Sequence, residues 1–187
     1  MAAAPAQPVF YYDLGSPRCY LAAETIMAAL PVVPEWEPVE APVVAPAERL
    51  ADRAAIEAAV AELELQPLRW PAQVPPDSRF AMLAATYAKR VGRAVAFSLA
   101  AFRQAFAGGR NLGARDTVLI AAAACEMHPA ALLKGVALRS VQTALQRANA
   151  RALSVGVRSL PAIQVGERVL AGETLVQDAA NALGALR

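Results

Sequence analysis

A serine and a cysteine stand three positions apart in the stretch YYDLGSPRCYLAAE, residues 11–24. Ser16 occupies the position that caps a helix, where backbone N–H groups are free and the helix dipole is positive. A hydroxyl there can donate a hydrogen bond to a thiolate brought by a ligand, and this lowers the pKa of that ligand. Ser16 is therefore either a plain N-cap, for which serine is a preferred residue, or the group that activates an external sulfur.

Cys19 is the candidate redox thiol, at the third position of the same predicted helix. The alternative is that Cys19 is a small core residue, because free cysteines are among the most buried side chains. A redox pair needs a second thiol within bonding distance, and Cys125 is the only other cysteine. Cys125 lies in the apolar stretch IAAAACEM, so we expect it to be a core residue.

Leu160 and Pro161 stand at the head of a short apolar run, AIQV. Proline cannot donate to a strand ladder, so it is tolerated at the first position of a strand. An X-Pro bond that enters a strand near an active site can be cis, which exposes the backbone of the preceding residue to a ligand. An ordinary trans proline at a strand start is the alternative.

Arg18 and several aromatic residues are further candidates. Arg18 beside the helix start would favour an anionic ligand, or it is a solvated surface residue. Four aromatic side chains either line a substrate cleft between the two halves of the chain or belong to the core. They are Tyr12, Tyr20, Trp70 and Phe80.

The elements that would hold these residues follow from hydrophobic periodicity and from glycine and proline breaks. The sequence predicts strands at 8–13, 34–44, 159–166 and 167–172, with a hairpin turn at Gly166–Glu167. It predicts helices at 17–30, 48–65, 78–92, 93–109, 114–127, 128–156 and 172–187. Asp77 and Ser78 are predicted caps of the helix that follows them.

The order of these elements predicts an α/β fold with a mixed sheet. A β-α-β unit comes first, an all-helical block follows, and a β-β-α unit ends the chain. The β-α-β unit favours parallel strands and the hairpin adds an antiparallel edge. We expect one domain from residues 1–45 and 156–187, interrupted by a helical insertion domain at 46–155. A helical bundle that carries two hairpins is the alternative.

Composition excludes several classes of function. The 187 residues carry a net charge of +2 with scattered basic residues, which gives no case for nucleic acid. No apolar stretch approaches about 18 residues, so the sequence predicts no membrane span. The start, MAAAPAQPVF, lacks the regions of a signal peptide, and we expect a cytoplasmic protein. One histidine and two distant cysteines predict no metal site.

Three stretches in this order resemble the DsbA-like branch of the thioredoxin superfamily. They are VFYYDLGSPRCYLAAE at 9–24, the helical stretch at 75–127 and GVRSLPAIQVGERVLAG at 156–172. Within that branch the chain is most similar to 2-hydroxychromene-2-carboxylate isomerases and kappa-class glutathione transferases, whose catalytic residue is a serine. The resemblance implies a thioredoxin-like fold, and it covers nearly the whole chain.

The same resemblance assigns roles to residues. Ser16 would activate the sulfur of glutathione or of another low-molecular-weight thiol, and the backbone of Leu160, before a cis Pro161, would pair with that thiol. Further thiol-binding positions are Pro17, Arg18, Glu173 and Thr174. In glutathione-using relatives an S-D-R-type turn holds the γ-glutamyl end. Here Gly172–Leu175 lacks that Asp and Arg, which weakens the assignment to glutathione and leaves a different thiol, or none, as the alternative.

Three functions follow as alternatives. The first is a thiol-dependent isomerase or transferase that acts on a small aromatic or apolar substrate through Ser16. The second is a disulfide oxidoreductase that uses Cys19, and the third is a binding protein that keeps the fold without the chemistry. The resemblance also implies a homodimer.

Overall fold

A four-stranded mixed sheet lies at the centre of the computed structural model, which describes residues 7–40, 53–72 and 77–185. Its strands are β1 (Val9–Tyr12), β2 (Glu35–Pro38), β3 (Ala162–Val165) and β4 (Arg168–Ala171). They lie in the order β2-β1-β3-β4. β1 and β2 are parallel, whereas β3 is antiparallel to both β1 and β4. This is the mixed sheet that the order of elements predicts.

One edge of this sheet collects strand ends from distant parts of the chain. Tyr12 pairs with Pro38 on β2, so β1 and β2 end together. Ala162, the first residue of β3, pairs with Tyr11 on one side and with Ala171, the last residue of β4, on the other. The loop after β1, the loop after β2, the residues before β3 and the turn after β4 therefore meet there. We call this the site edge.

Two helices cover one face of the sheet. They are α1 (Pro17–Ala29) and the closing helix α8 (Leu175–Gly184), which pack on each other. Alternate positions of a strand point to opposite faces, so Phe10 and Tyr12 enter the large core on this face, together with Trp36. Tyr11 points to the other face and packs with α7 (Arg139–Ser154).

The remaining helices lie between β2 and β3 in the chain. They are α2 (Arg53–Glu62), α3 (Arg79–Arg90), α4 (Ala94–Phe102), α5 (Arg115–Ala124) and α6 (Pro129–Ala137), followed by α7. With α7 they form the inserted helices. In the part of the chain that the structure describes, none of the helices is long and apolar enough to cross a membrane.

Three predicted elements differ from the structure in their limits. The predicted helix at 128–156 is two helices, because Leu138 adopts an extended conformation (φ −67°, ψ 128°) and ends α6. The predicted helix at 93–109 changes to a π-helix at Arg103–Ala107. The second strand ends at Pro38, and residues 41–44 of its predicted range, like residues 48–52 of the predicted α2, lie outside the described residues.

The break at Leu138 separates two helices that pack on different elements. α6 packs on α3 and α5, whereas α7 packs on α3 and reaches β2. Gly135, in the last turn of α6, lies against the ring of Tyr87, where an added Cβ would come within 2.3 Å of ring carbons. Glycine lowers helix stability and permits this close approach. A single straight helix would not meet both surfaces.

Candidate functional site

The loop between β1 and α1 is held in a tight turn by Asp13. The carboxylate Oδ1 accepts hydrogen bonds from the Gly15 N–H at 2.7 Å and from the Ser78 hydroxyl at 2.9 Å. Its backbone oxygen accepts from the Ser16 N–H at 3.1 Å. An aspartate that bonds the backbone two residues on forms an Asx turn. A Cβ on Gly15 would lie 3.2 Å from both Asp13 Oδ1 and Ser78 Oγ, so glycine suits this position.

Ser16 caps α1, as predicted. Its backbone is extended (φ −100°, ψ 119°), Pro17 follows as the first helical residue, and its Oγ accepts from the Cys19 N–H at 3.3 Å. Ser16 as a whole residue is half-buried at the site edge. The hydroxyl also hydrogen-bonds toward the Cys19 thiol, which works to lower the pKa of that sulfur.

Cys19 is fully buried below this cap. Burial raises the pKa of the thiol to about 12, and the hydrogen bonds from Ser16 and the Asp13 backbone offset only part of that effect. A thiol with this pKa stays protonated at neutral pH, and the protonated form is a poor nucleophile. Cys19 therefore has the properties of the core alternative rather than those of a redox thiol.

Cys125 is also buried and free, at the end of α5. Its Sγ donates to the carbonyls of Ala121 and Ala122, and burial raises the pKa of its thiol. This agrees with the expectation that it is a core residue.

The Leu160–Pro161 peptide bond is cis. Pro161 is buried and immediately precedes β3, whose first residue pairs with Tyr11 of β1. The cis bond therefore lies at the site edge, beside the strand end that leads into the Ser16 loop. Leu160 is half-buried, so its backbone is placed at the rim of this edge.

The turn after β4 also reaches the start of α1. Arg18 and Glu173 form an ion pair at 3.7 Å, with 42% and 81% of the two side chains exposed. Thr174 precedes α8, and its hydroxyl donates to Asp178 Oδ2 at 2.7 Å. The structure thus brings Arg18, Glu173 and Thr174 to the site edge, where Arg18 and Glu173 face each other as opposite charges. Their role in binding a thiol stays a prediction.

Two of the aromatic candidates, Tyr12 and Tyr20, are core residues and line no cleft at this edge. Tyr12 has no exposed surface, its hydroxyl pairs with Ser98 at 2.6 Å, and burial raises its pKa. Its position on β1 directs the ring into the core rather than toward the loop. Tyr20 is likewise buried and stacks on Phe106 with ring centroids 5.6 Å apart. The cleft interpretation of both tyrosines is wrong.

Trp70 and Phe80 lie on the inserted helices and their loops. Trp70 follows α2, donates from Nε1 to Glu57 at 2.6 Å and lies under the Arg53 guanidinium at 4.8 Å. Phe80 is half-buried in the first turn of α3, with Arg115 5.6 Å from its ring centroid. Trp70 is therefore engaged by α2, and its predicted place in a substrate cleft has no support in these contacts.

Sequence reasoning missed the two residues that join the Ser16 loop to the inserted helices. Ser78 stands at the N-cap position of α3, as predicted, but its side chain caps nothing there. Its hydroxyl bonds Asp13 instead, and the Leu14 N–H contacts Met82 Sδ at 3.2 Å. The D-x-G spacing of Asp13 and Gly15 was the available signal for the turn, but nothing local pointed to Ser78 as its partner.

No group of three or more histidine, cysteine or acidic side chains within the described ranges could hold a metal ion. The site edge brings together a hydroxyl, a helix N-terminus, a cis peptide bond and an Arg–Glu pair.

Residues 9–184 match the model of the DSBA-like thioredoxin domain. The chain belongs to the DSBA-like thioredoxin family. The thioredoxin-like fold class, with helices inserted in a mixed sheet, is confirmed by this match and by solved structures. No curated protein sequence matches the chain significantly.

Several solved structures share this fold. A 2-hydroxychromene-2-carboxylate isomerase superposes with a TM-score of 0.83 at 15% identity, covering 96% of this chain and 95% of that one. A probable DsbA oxidoreductase from Streptomyces coelicolor gives 0.77 at 17% identity, covering 96% and 89%. The cytosolic disulfide reductase DsbM from Pseudomonas aeruginosa with GSH gives 0.67 at 15% identity, covering 96% of each chain. At these identities the likeness concerns the fold, and the neighbours that share it include an isomerase and disulfide oxidoreductases.

Proposed function

We propose that this protein is a thiol-dependent isomerase or transferase in which Ser16 stabilises the thiolate of a bound low-molecular-weight thiol. The bound thiol supplies the nucleophilic sulfur, and the second substrate is a small aromatic or apolar molecule. The observation that carries the proposal is the contrast between Ser16 and Cys19 on one helix turn. Ser16 is half-buried at the site edge, whereas Cys19 beneath it is fully buried.

The geometry at the start of α1 supports this role for Ser16. A helix N-terminus favours negative charge through its free N–H groups and its dipole. The Ser16 hydroxyl lies at that terminus and already makes a hydrogen bond that lowers the pKa of a neighbouring sulfur, Cys19. Because Cys19 stays protonated, its S–H can donate to Ser16 Oγ. The single hydroxyl proton of Ser16 is then available to a thiolate that arrives from solvent, which does not bear the burial cost of Cys19.

The residues at the edge suit a thiol with a peptide-like backbone. The Leu160 N–H and C=O precede the cis bond and stand where an extended ligand can pair with them. Arg18 and Glu173 form an ion pair with 42% and 81% of their side chains exposed, and they suit the charged ends of such a ligand. The glutathione-type turn residues are absent from Gly172–Leu175, so glutathione is one candidate among cellular thiols.

The contrast also argues against the oxidoreductase alternative. Thiol–disulfide exchange starts from a thiolate, and its rate depends on access to the attacking sulfur. Cys19 combines zero exposure with a pKa raised to about 12. The fold that this chain shares with disulfide oxidoreductases therefore gives no support for disulfide exchange at Cys19.

Titration calorimetry tests the proposal directly. Glutathione, γ-glutamylcysteine and coenzyme A are titrated into the wild type, Ser16→Ala and Cys19→Ala. We expect one of the thiols to bind the wild type and Cys19→Ala alike, and to bind Ser16→Ala at least tenfold more weakly. Turnover of 2-hydroxychromene-2-carboxylate and of an aryl halide with that thiol then separates isomerase from transferase activity. Insulin reduction that depends on Cys19 and not on Ser16 would overturn the proposal.

A further inference from the structure

The first turns of α3 hold the loop that carries Ser16 through two contacts. The Ser78 hydroxyl donates to Asp13 Oδ1 at 2.9 Å. One turn further along α3, the sulfur of Met82 accepts from the Leu14 N–H at 3.2 Å. Because residues four apart on a helix lie on the same face, a single face of α3 contacts two consecutive residues of this loop.

The Ser78 hydroxyl makes its contact instead of capping its own helix. Ser78 stands at the N-cap position with φ −96° and ψ −5°, outside the extended region that is usual for a cap, and its side chain bonds no N–H of α3. Asp77 Oδ1 accepts from the Arg79 N–H at 3.1 Å and satisfies the first N–H of the helix. The Ser78 side chain is therefore committed to the loop of Ser16 rather than to α3.

Asp13 connects this contact to Ser16. The oxygen that accepts from Ser78, Oδ1, also accepts from the Gly15 N–H at 2.7 Å, and the Asp13 carbonyl accepts from the Ser16 N–H at 3.1 Å. Asp13 is only 8% exposed, and a Cβ at Gly15 would lie 3.2 Å from Ser78 Oγ. Because these groups are closely packed, a displacement of the Asp13 carboxylate moves the peptide that carries the Ser16 side chain.

We propose that Ser78 is a positioning residue, which acts through Asp13 to hold the Ser16 hydroxyl in the orientation that stabilises a bound thiolate. Met82 supports the same loop at Leu14. The inserted helices then contribute to thiol activation through the face of α3. This inference rests on the proposed function for its effect on the thiol, whereas the placement of Ser16 can be measured without any thiol.

Amide hydrogen exchange, followed by NMR, tests the placement in the free protein. Ser78→Ala should raise the exchange rates of the Gly15 and Cys19 N–H groups at least tenfold, the low end for the loss of a hydrogen bond to a charged group. The first of these N–H groups bonds Asp13 and the second bonds Ser16 Oγ. Exchange rates along the rest of α3 should stay near those of the wild type.

The pKa of a bound thiol gives a readout that a merely structural role would not move. The thiol that binds by calorimetry is titrated with pH on the wild type, Ser78→Ala and Ser140→Ala. Ser78→Ala should raise the pKa of the bound thiol toward that of the free thiol, because the Ser16 hydroxyl is no longer held toward the sulfur. Ser140→Ala removes an exposed hydroxyl in the first turn of α7, where it accepts from Arg90 at 2.8 Å, and should change neither readout.

Met82→Leu is a second variant at the same face of α3. Leucine nearly matches methionine in volume and removes the acceptor of the Leu14 N–H. The exchange rate at Leu14 should rise, by less than the rise that Ser78→Ala causes at Gly15, since a thioether is a weak acceptor.

Wild-type exchange rates at Gly15 and Cys19 in Ser78→Ala, or an even rise along α3, would overturn the positioning role. An unchanged pKa of the bound thiol in Ser78→Ala would overturn it as well. If the wild type binds none of the thiols, the proposed function fails, and the exchange rates alone decide whether Ser78 holds Ser16 in place.

Discussion

At the scale of single residues, the Ser16 hydroxyl and the Cys19 thiol lie one helical turn apart and have opposite environments. Ser16 is half-exposed at a helix N-terminus, whereas Cys19 is sealed among core side chains. The same hydrogen bond joins them, but burial dominates at Cys19 and leaves its thiol protonated. The sequence alone predicted the cap at Ser16, because serine before proline marks a helix start. The sequence did not decide whether Cys19 is a redox thiol or a core residue, since its burial depends on helices far away in the chain.

The raised pKa of Cys19 predicts how stability changes in alkali. The thiol ionises near 9.0 in the unfolded chain and near 12 in the folded one. Between these values the unfolded state releases a proton that the folded state keeps, so the free energy of unfolding falls as pH rises. Cys19 contributes up to about 1.4 kcal/mol per pH unit to that fall.

Urea unfolding of the wild type, Cys19→Ala and Ser98→Ala at several pH values from neutral to strongly alkaline measures this slope. Cys19→Ala should lose stability less steeply with pH than the wild type, whatever its stability at pH 7. Ser98→Ala keeps the thiol and should retain the wild-type contribution of Cys19. Identical slopes in the wild type and Cys19→Ala would mean that the thiol is accessible in the folded protein.

At the scale of elements, helix breaks and strand ends decide what reaches the site edge. The predicted order of strands and helices is confirmed, because hydrophobic periodicity and proline positions are local properties. The break at Leu138 was not predicted, since Gly135 in the preceding turn is the only local signal and no proline stands at the break. The bond from Ser78 to Asp13 spans 65 positions in the chain and left no local signal.

The close approach at Gly135 makes the α6–α3 contact sensitive to one methyl group. Gly135→Ala places a Cβ about 2.3 Å from the Tyr87 ring, so the helices or the ring must move. We expect a loss of about 1–3 kcal/mol in the free energy of unfolding, as for overpacked cores. Tyr87→Leu should recover part of that loss in the double variant. A Gly135→Ala protein as stable as the wild type in thermal unfolding would contradict this packing.

At the scale of the whole molecule, an ionic cluster fastens the sheet to the inserted helices. Glu37 of β2 has a side chain only 5% exposed, and it pairs with Lys89 of α3 at 2.7 Å and with Arg151 of α7. Glu35, which also pairs with Lys89 at 2.6 Å, is 43% exposed. The cluster was not predicted, because glutamates that alternate with apolar residues after a helix are typical of a strand with one solvent-exposed face.

Removing the buried charge of this cluster should cost far more than removing the exposed one. Glu37→Gln leaves Lys89 and Arg151 without their shared partner, and we expect a loss of about 3 kcal/mol, the lower end for a buried pair. Glu35→Gln should cost less than about 1 kcal/mol, as exposed pairs do. Urea unfolding of the two matched variants checks the difference. Equal losses would show that Glu37 is solvated and that the sheet and helices are joined by apolar packing alone.

The most direct measurement of the central claim is the pKa of a bound thiol. The thiolate absorbance of glutathione, or of whichever thiol binds by calorimetry, is titrated with pH on the wild type, Ser16→Ala and Cys19→Ala. The account predicts a bound thiol that ionises at lower pH than the free thiol on the wild type and Cys19→Ala, and a return toward the free value on Ser16→Ala. A bound thiol with the same pKa on the wild type and Ser16→Ala would contradict it.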